Sequence, residues 1–195
     1  MDDEWLRRAR NGDGYAFEML AAPHENAVYQ LCLSMMGHTA DAADCAQEAF
    51  LKAFRGLRHF QGGAQFSTWM HRIAHNVCVD ALRKRKPELS VEALDEEGIF
   101  FVSAASGPYE ALEKRERQAL LSRAFNALPE VNRAALLLHI QGLEYGDIAC
   151  VTGVPEGTVK SRIHRARERL KAFLCADREL FSDSSVQDSD RRCGS

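Results

Sequence analysis

The sequence predicts an all-α protein: two small helical domains joined by a flexible acidic linker. Three observations carry that expectation. Apolar residues recur at steps of three and four before residue 86, and again from about Tyr109 to Leu174, which is the spacing that lines one face of a helix. Between these stretches, residues 87–112 lose the period and hold Pro87, Gly98, Gly107 and Pro108 with six acidic residues and no basic one. Elsewhere Gly and Pro fall at the ends of periodic segments, where helices stop.

Taken in order, residues 15–36 carry Phe17, Leu20, Ala21, Val28, Leu31 and Met35 on a helical stripe. From Asp41 to Phe60 a second stripe runs through Ala46, Phe50, Ala53, Phe54, Leu57 and Phe60, with Asp41, Asp44, Glu48, Lys52 and Arg55 on the opposite face. After Gly62-Gly63, Ser67 or Thr68 is placed to cap a helix running to about Arg85, with Met70, Ile73, Ala74, Val77, Ala81 and Leu82 inward. Residues 1–86 therefore form the first domain and 87–111 the linker, in which Ile99-Phe100-Phe101-Val102 is an apolar stretch suited to docking. In 112–176, breaks at Leu128-Pro129, Gly142 and Gly153-Val154-Pro155 divide the second domain into four short helices. The polar segment 177–195 is expected to be disordered.

Composition narrows the function classes. With 46% hydrophobic and 27% charged residues, the 195-residue chain reads as an ordinary globular protein. No run approaches the roughly 20 apolar residues of a membrane span. The acidic Met1-Asp2-Asp3-Glu4 start is unlike a secretory signal, so a cytoplasmic location without membrane insertion is expected. Six cysteines lie far apart without CxxC spacing, which gives no expectation of a metal site. Cys32, Cys45, Cys78 and Cys150 read as small packing residues, and Cys175 and Cys193 as tail residues open to solvent. The seven histidines form no HExxH, and no P-loop or nucleophile elbow occurs, so an enzyme is not expected and no cofactor is implied.

Net charge is −3, but basic residues are concentrated at Arg83-Lys84-Arg85-Lys86 and at 160–171, where six Lys or Arg face one Glu. Such segregation points to separate surfaces for separate partners. The segment from Leu143 to Arg167 explains the second cluster. A helix at about 144–152 turns Ile148 and the small Ala149 inward, Gly153 permits a tight turn, and a second helix beginning near Glu156 or Gly157 packs through Val159, Ile163 and Ala166. Its outer surfaces carry Thr158, Lys160, Ser161, Arg162, His164, Arg165 and Arg169. This is a helix-turn-helix whose second helix enters the major groove, Arg reading guanine and the remaining cations neutralising phosphates. The alternative is a solvated basic helix capping a bundle.

Asp41 to Arg55, running into Phe60 to Arg85, resembles region 2 of the sigma-70 superfamily, specifically the extracytoplasmic function sigma factors. Leu128-Pro-Glu-Val-Asn-Arg-Ala and the helix-turn-helix resemble region 4 of the same group. The resemblance implies a promoter-specific transcription initiation factor that works as part of the RNA polymerase holoenzyme. It implies that Asp41, Asp44, Gln47 and Glu48 dock on the polymerase clamp coiled coil, with the polymerase flap as a second contact. It further implies that the loop from Phe60 to Phe66 opens the minus-ten element, where aromatics and polar edges capture unstacked bases. Phe60, Phe66 and Asn76 then face bases, while Arg72, His75, Arg83, Lys84 and Arg85 hold phosphates. Phe66 and Trp69 are equally suited to the core. Lys160, Ser161, His164 and Arg165 match positions facing the minus-35 element, and His164 stands where some members carry an aromatic. An anti-sigma factor is a further implied partner. A conventional helix-turn-helix regulator is the competing reading; it leaves the Phe60–Arg85 block unexplained, and no strand–helix alternation marks a receiver domain. A helical adaptor without DNA contact does not account for the cations of 160–171.

Overall fold

In the computed structural model, the described residues are 2–60, 62–85 and 119–187, and among them regular structure is helical throughout. The linker expected at 87–111, with its apolar stretch, the segment 112–118 and the end of the tail lie outside the described residues, as does Cys193. The first bundle comprises α1 (Asp2–Arg10), α2 (Gly14–Ala21), α3 (Glu25–Met36), α4 (Thr39–Gly56) and α5 (Phe66–Arg85). The second comprises α6 (119–126), α7 (Glu130–Ile140), α8 (Tyr145–Thr152) and α9 (Glu156–Gln187). Helix α1 precedes the first helix that periodicity predicts.

Local chemistry sets the boundaries. Asp13 caps α2 by accepting from the Ala16 amide at 3.0 Å, while Arg8 grips the same carboxylate through Nε and Nη2 at 2.9 and 2.7 Å. The corner between α1 and α2 is therefore tied from both sides, and that carboxyl lies below the usual range because it accepts these bonds. Helix α5 begins one residue before the expected Ser67 or Thr68 cap. The Trp69 amide bonds the Gln65 carbonyl at 3.1 Å, and Thr68 is buried inside the first turn rather than capping it. Pro129 and Pro155 precede α7 and α9, accepting through their carbonyls from first-turn amides.

The predicted stripes become the core. Val28, Leu31, Ala53, Leu57, Met70 and Ala74 are wholly shielded, as are Leu138, Ile148, Val159 and Ala166 in the second bundle. Two expectations change. Cys150 is exposed, unlike the buried Cys32, Cys45 and Cys78; α8 is only two turns long, and Ile148 and Val151 supply its buried face. The tail is helical as far as Gln187 rather than irregular from residue 177, because Arg, Glu and Leu favour helix and no Gly or Pro interrupts until Gly194.

The two bundles pack directly on each other, a contact that the sequence reading did not anticipate. Helix α7 lies against α3 and α8 against α5, so that one apolar cluster runs through both bundles. Arg133 of α7 is buried, donates through Nε to the Ser34 carbonyl in the last turn of α3, and donates through Nη1 to the Asn126 carbonyl ending α6 at 3.1 Å. Terminal-turn carbonyls have no partner within their own helix, so one guanidinium caps two helices, its charge favourably placed at their negative ends. At the other end of α7, Gln141 Nε2 donates to the Ala27 carbonyl at 3.0 Å.

Candidate nucleic-acid interface

The first candidate surface surrounds the loop between Phe60 and Phe66. Phe60 ends a short 3-10 turn (Leu57–His59) in extended conformation and is only 7% exposed. Its ring meets Trp69 at 5.0 Å and stands edge-on to Phe66 at 6.0 Å, with Phe66 and Trp69 at 5.8 Å. Phe60 thus faces inward as the floor of an aromatic cluster and has no free ring face for a base. Phe66 remains half-buried beside an open groove of about 410 Å³ lined by Leu6, Leu20, His24, Phe60, Gln65 and Phe66 among others. Leu6 and His24 are absent from the sequence-predicted set. His24, in the 3-10 turn after α2, lies 5.6 Å from the Phe66 ring, and Pro23 beside it is the one local signal of that turn.

Along α5, Arg72, Asn76 and Arg83 recur at intervals of four and seven and are exposed on one face. Lys84 is also exposed. The backbone of Arg85 ends the helix, and its side chain lies outside the described residues. His75 is set apart from them. It is half-buried towards the second bundle, and burial lowers its pKa, with the Arg162 charge adding to that and a hydrogen bond to Asn76 opposing it. His71, to which the sequence gives no role, is buried with Nδ1 at 2.7 Å from the Ser67 carbonyl.

The second surface is the helix-turn-helix of α8 and α9. Gly153 closes α8 at φ +68°, its amide bonding the Ala149 carbonyl at 2.9 Å; this is the left-handed ending that glycine adopts without strain. Val159, Ile163 and Ala166 are buried as expected, leaving Lys160, His164, Arg165 and Arg169 exposed and Thr158, Ser161 and Arg162 half-buried. Ser161 Oγ donates to the Thr158 carbonyl at 2.9 Å. Lys160 pairs with Glu156 at 2.7 Å and sits 5.6 Å from the Tyr145 ring centroid. The pair raises the lysine pKa, so Lys160 stays charged.

The acidic face of α4 is the third surface. Asp44, Gln47 and Glu48 are exposed and Asp41 half-buried. Glu48 pairs with Lys52 at 2.8 Å, which holds its carboxyl below the usual range, and Lys84 at the end of α5 is near enough to add to the effect. Behind this face, burial and the neighbouring Cys78 push the Cys45 thiol up to about 12, so it behaves as packing rather than as a nucleophile.

The packed bundles bring two of these surfaces together. His75, Val79, Leu82 and Arg83 of α5 line a cleft of about 200 Å³ whose other wall includes Glu130, Val131, Thr152 and Arg162. Residues expected on two different DNA elements thus share one narrow space. Among the described residues no side-chain cluster is arranged to hold a metal ion, and no helix is long and apolar enough to cross a membrane.

Comparisons with known proteins identify the family. The family model of Sigma-70 region 2 matches residues 20–88 and that of Sigma-70, region 4, matches residues 118–170. The ECF RNA polymerase sigma factor SigW of Bacillus subtilis is 35% identical over 87% of this chain and 94% of its own length. The ECF RNA polymerase sigma-E factor of Escherichia coli K12 is 35% identical over 87% and 92%. Among solved structures, the sigma factor RpoE in complex with the anti-sigma factor NepR from Bartonella quintana aligns with TM-score 0.66 at 26% identity, covering 83% of this chain and 98% of that one. CnrH in complex with the cytosolic domain of CnrY aligns with TM-score 0.63 at 27% identity, covering 90% and 98%.

Proposed function

The chain belongs to the sigma-70 family as an extracytoplasmic function sigma factor, and on that premise we propose how its surfaces divide the work of initiation. It directs RNA polymerase to promoters and is not itself an enzyme; nucleotide polymerisation belongs to the partner. The first bundle opens the minus-ten element: Phe66 and Asn76 engage unstacked bases, Phe60 supports the loop from below, and Arg72, Arg83, Lys84 and Arg85 hold the backbone, with His75 joining them once the cleft opens. The second bundle reads minus-35 duplex through Thr158, Lys160, Ser161, Arg162, His164, Arg165 and Arg169. Asp41, Asp44, Gln47 and Glu48 dock on the polymerase clamp, and the flap receives the second bundle. The domains follow the sequence boundaries, 1–86 and 112–176, with the acidic 87–111 segment between them. The protein works in the cytoplasm, and an anti-sigma factor is a further partner, as NepR is for the similar RpoE.

The observation that carries this reading is the pairing, in one chain, of an exposed basic recognition helix with a half-buried aromatic beside a groove on a separate bundle. An autonomous helix-turn-helix regulator has use for the first feature alone. The closed cleft adds a condition. With His75 and Arg83 on one wall and Arg162 on the other, DNA reaches these three side chains together only after the bundles part. Polymerase supplies the separation by seating each bundle at its own site, and tethering then makes the second DNA contact effectively intramolecular.

Run-off transcription from a genomic library with purified core polymerase identifies cognate promoters, and footprinting on one of them tests the reading. Protection of both elements is expected only with polymerase present. Equal footprints with and without polymerase favour the autonomous regulator, and an Arg165→Ala variant that transcribes from a minus-35-dependent promoter like wild type removes the assigned recognition face.

A further inference from the structure

We propose that Arg10, the last residue of α1, is a positioning residue for strand opening, tying the N-terminal helix to the loop that captures minus-ten bases. This rests on the reading of the Phe60–Phe66 loop given above. The region 2 family match starts at residue 20, so α1 lies upstream of the matched segment.

The case begins with where the guanidinium goes. Arg10 Nη2 donates to the main-chain carbonyl of Phe60, 50 residues further along the chain, and its central carbon lies 5.9 Å from the centroid of the Phe60 ring. One side chain thus holds both the backbone and the ring of the residue from which the loop departs. Phe60 in turn touches Phe66 and Trp69, so fixing it fixes the spacing between the loop's entry and its return into α5. A planar, permanently charged group suits this double role, stacking on an aromatic while donating in its own plane.

A tether works only if its base is firm. The Arg8–Asp13 grip and the Asp13 cap hold α1 against α2, Trp5 packs edge-on to Tyr15 at 6.0 Å, and the Arg8 guanidinium lies 5.0 Å from the Trp5 ring centroid. One turn before Arg10, Leu6 lines the groove beside Phe66. Helix α1 therefore supplies both a wall of that groove and the clamp on its floor. Arg10 Nε is buried without an acceptor among the described residues, a cost that a solvent-facing arginine at the end of a helix does not carry. A loop held in its capturing shape before DNA arrives spends less of the binding energy on ordering itself.

The test uses holoenzyme assembled from core polymerase and the full chain. A fluorescent adenine analogue in the minus-ten element of a cognate duplex promoter reports opening, and a second template carries the same element already unpaired. For Arg10→Ala, opening of the duplex is expected to slow about tenfold or more, with holoenzyme assembly and transcription from the unpaired template close to wild type. Arg10→Lys, which keeps the charge and one donor, is expected to recover most of the opening rate. In the free full chain, the fluorescence of Trp69, whose ring lies 5.0 Å from that of Phe60, is expected to change in the alanine variant and to be restored in the lysine one. Duplex opening by Arg10→Ala at the wild-type rate overturns the proposal, and so does an equal loss on both templates, which marks a general folding or assembly defect. Phe66→Ala separates the two levels of inference. If that variant opens DNA normally, the loop reading itself fails; if it is defective while Arg10→Ala is normal, only the role of Arg10 falls.

Discussion

Replacing Arg133 with Met is expected to open the molecule. The residue is 4% exposed and caps α3 across the contact between the bundles as well as α6 within its own. Burial depresses the guanidinium pKa, opposed only by the charge of Glu130. Methionine keeps most of the packing volume and removes both donors. Only the bond to Ser34 crosses the contact; a hydrogen bond from a charged donor is worth about 1.5–3 kcal/mol, and relief of the buried charge offsets part of the loss, leaving a net weakening of the closed form of roughly 1–2 kcal/mol. At about 1.4 kcal/mol per decade, the ratio of closed to open molecules falls roughly 5- to 30-fold. Opening returns the Ser34 carbonyl to water, so the variant gains by separating. Gln141→Ala, which removes one neutral bond to α3, is expected to weaken the contact by only about 0.5–1.5 kcal/mol. Small-angle scattering of the free protein reads the outcome as a shift to longer interatomic distances, in the order Arg133→Met, Gln141→Ala, wild type, while circular dichroism keeps its helical content. Unchanged scattering for Arg133→Met, or equal effects of the two variants, refutes the capping argument.

Acid is expected to loosen the same contact. Burial holds His75 below its ordinary value of 6.5 in a cleft it shares with Arg83, Glu130 and Arg162, and burial does the same to His71, which Gln141 approaches. Protonation therefore favours the open form. Closed-state stability is complete above the open-state pKa and is lost as pH falls from about 6.5, and scattering between about pH 7.5 and 5.5 tests it, with His75→Gln expected to flatten the dependence. At the turn of the helix-turn-helix, Gly153→Ala meets open space around its new Cβ but keeps a φ of +68°, so backbone strain alone is expected to cost about 1–2 kcal/mol. A melting transition unchanged by that variant contradicts the turn assignment.

The sequence disclosed most where one face of a helix meets one core. The stripe from Ala46 to Phe60 and the inward trio Val159, Ile163 and Ala166 are readable because burial follows the helical repeat. The basic face of α9 is readable for the complementary reason, since cations that pack against nothing remain on the outside. Phe60 was legible both as the end of the apolar stripe and as a base-facing residue, and the structure takes the first, since its ring packs on Phe66 and Trp69. Cys150 reads in sequence like Cys32, yet α8 has too few turns to bury both of its sides.

The contact between the bundles left a trace that periodicity alone passes over. In α7 the run Ala134-Ala135-Leu136-Leu137-Leu138 is buried on every side, where a helix covering a single core would leave one face to solvent. A helix apolar all round requires neighbours all round, and α6, α8 and α9 do not suffice for α7; α3 completes the enclosure. Arg133, the residue just before that run, carries the same message more sharply. A charge is buried only where its donors are met, and nothing in the second bundle's sequence could say that one acceptor would be the C-terminal turn of a helix 99 residues earlier. Arg133 therefore looks like a surface residue to any reading that takes the two halves separately, and becomes a structural one only when they are taken together. The same holds for Arg162 and His75, each proposed for a different DNA element, which the packed bundles bring to one cleft.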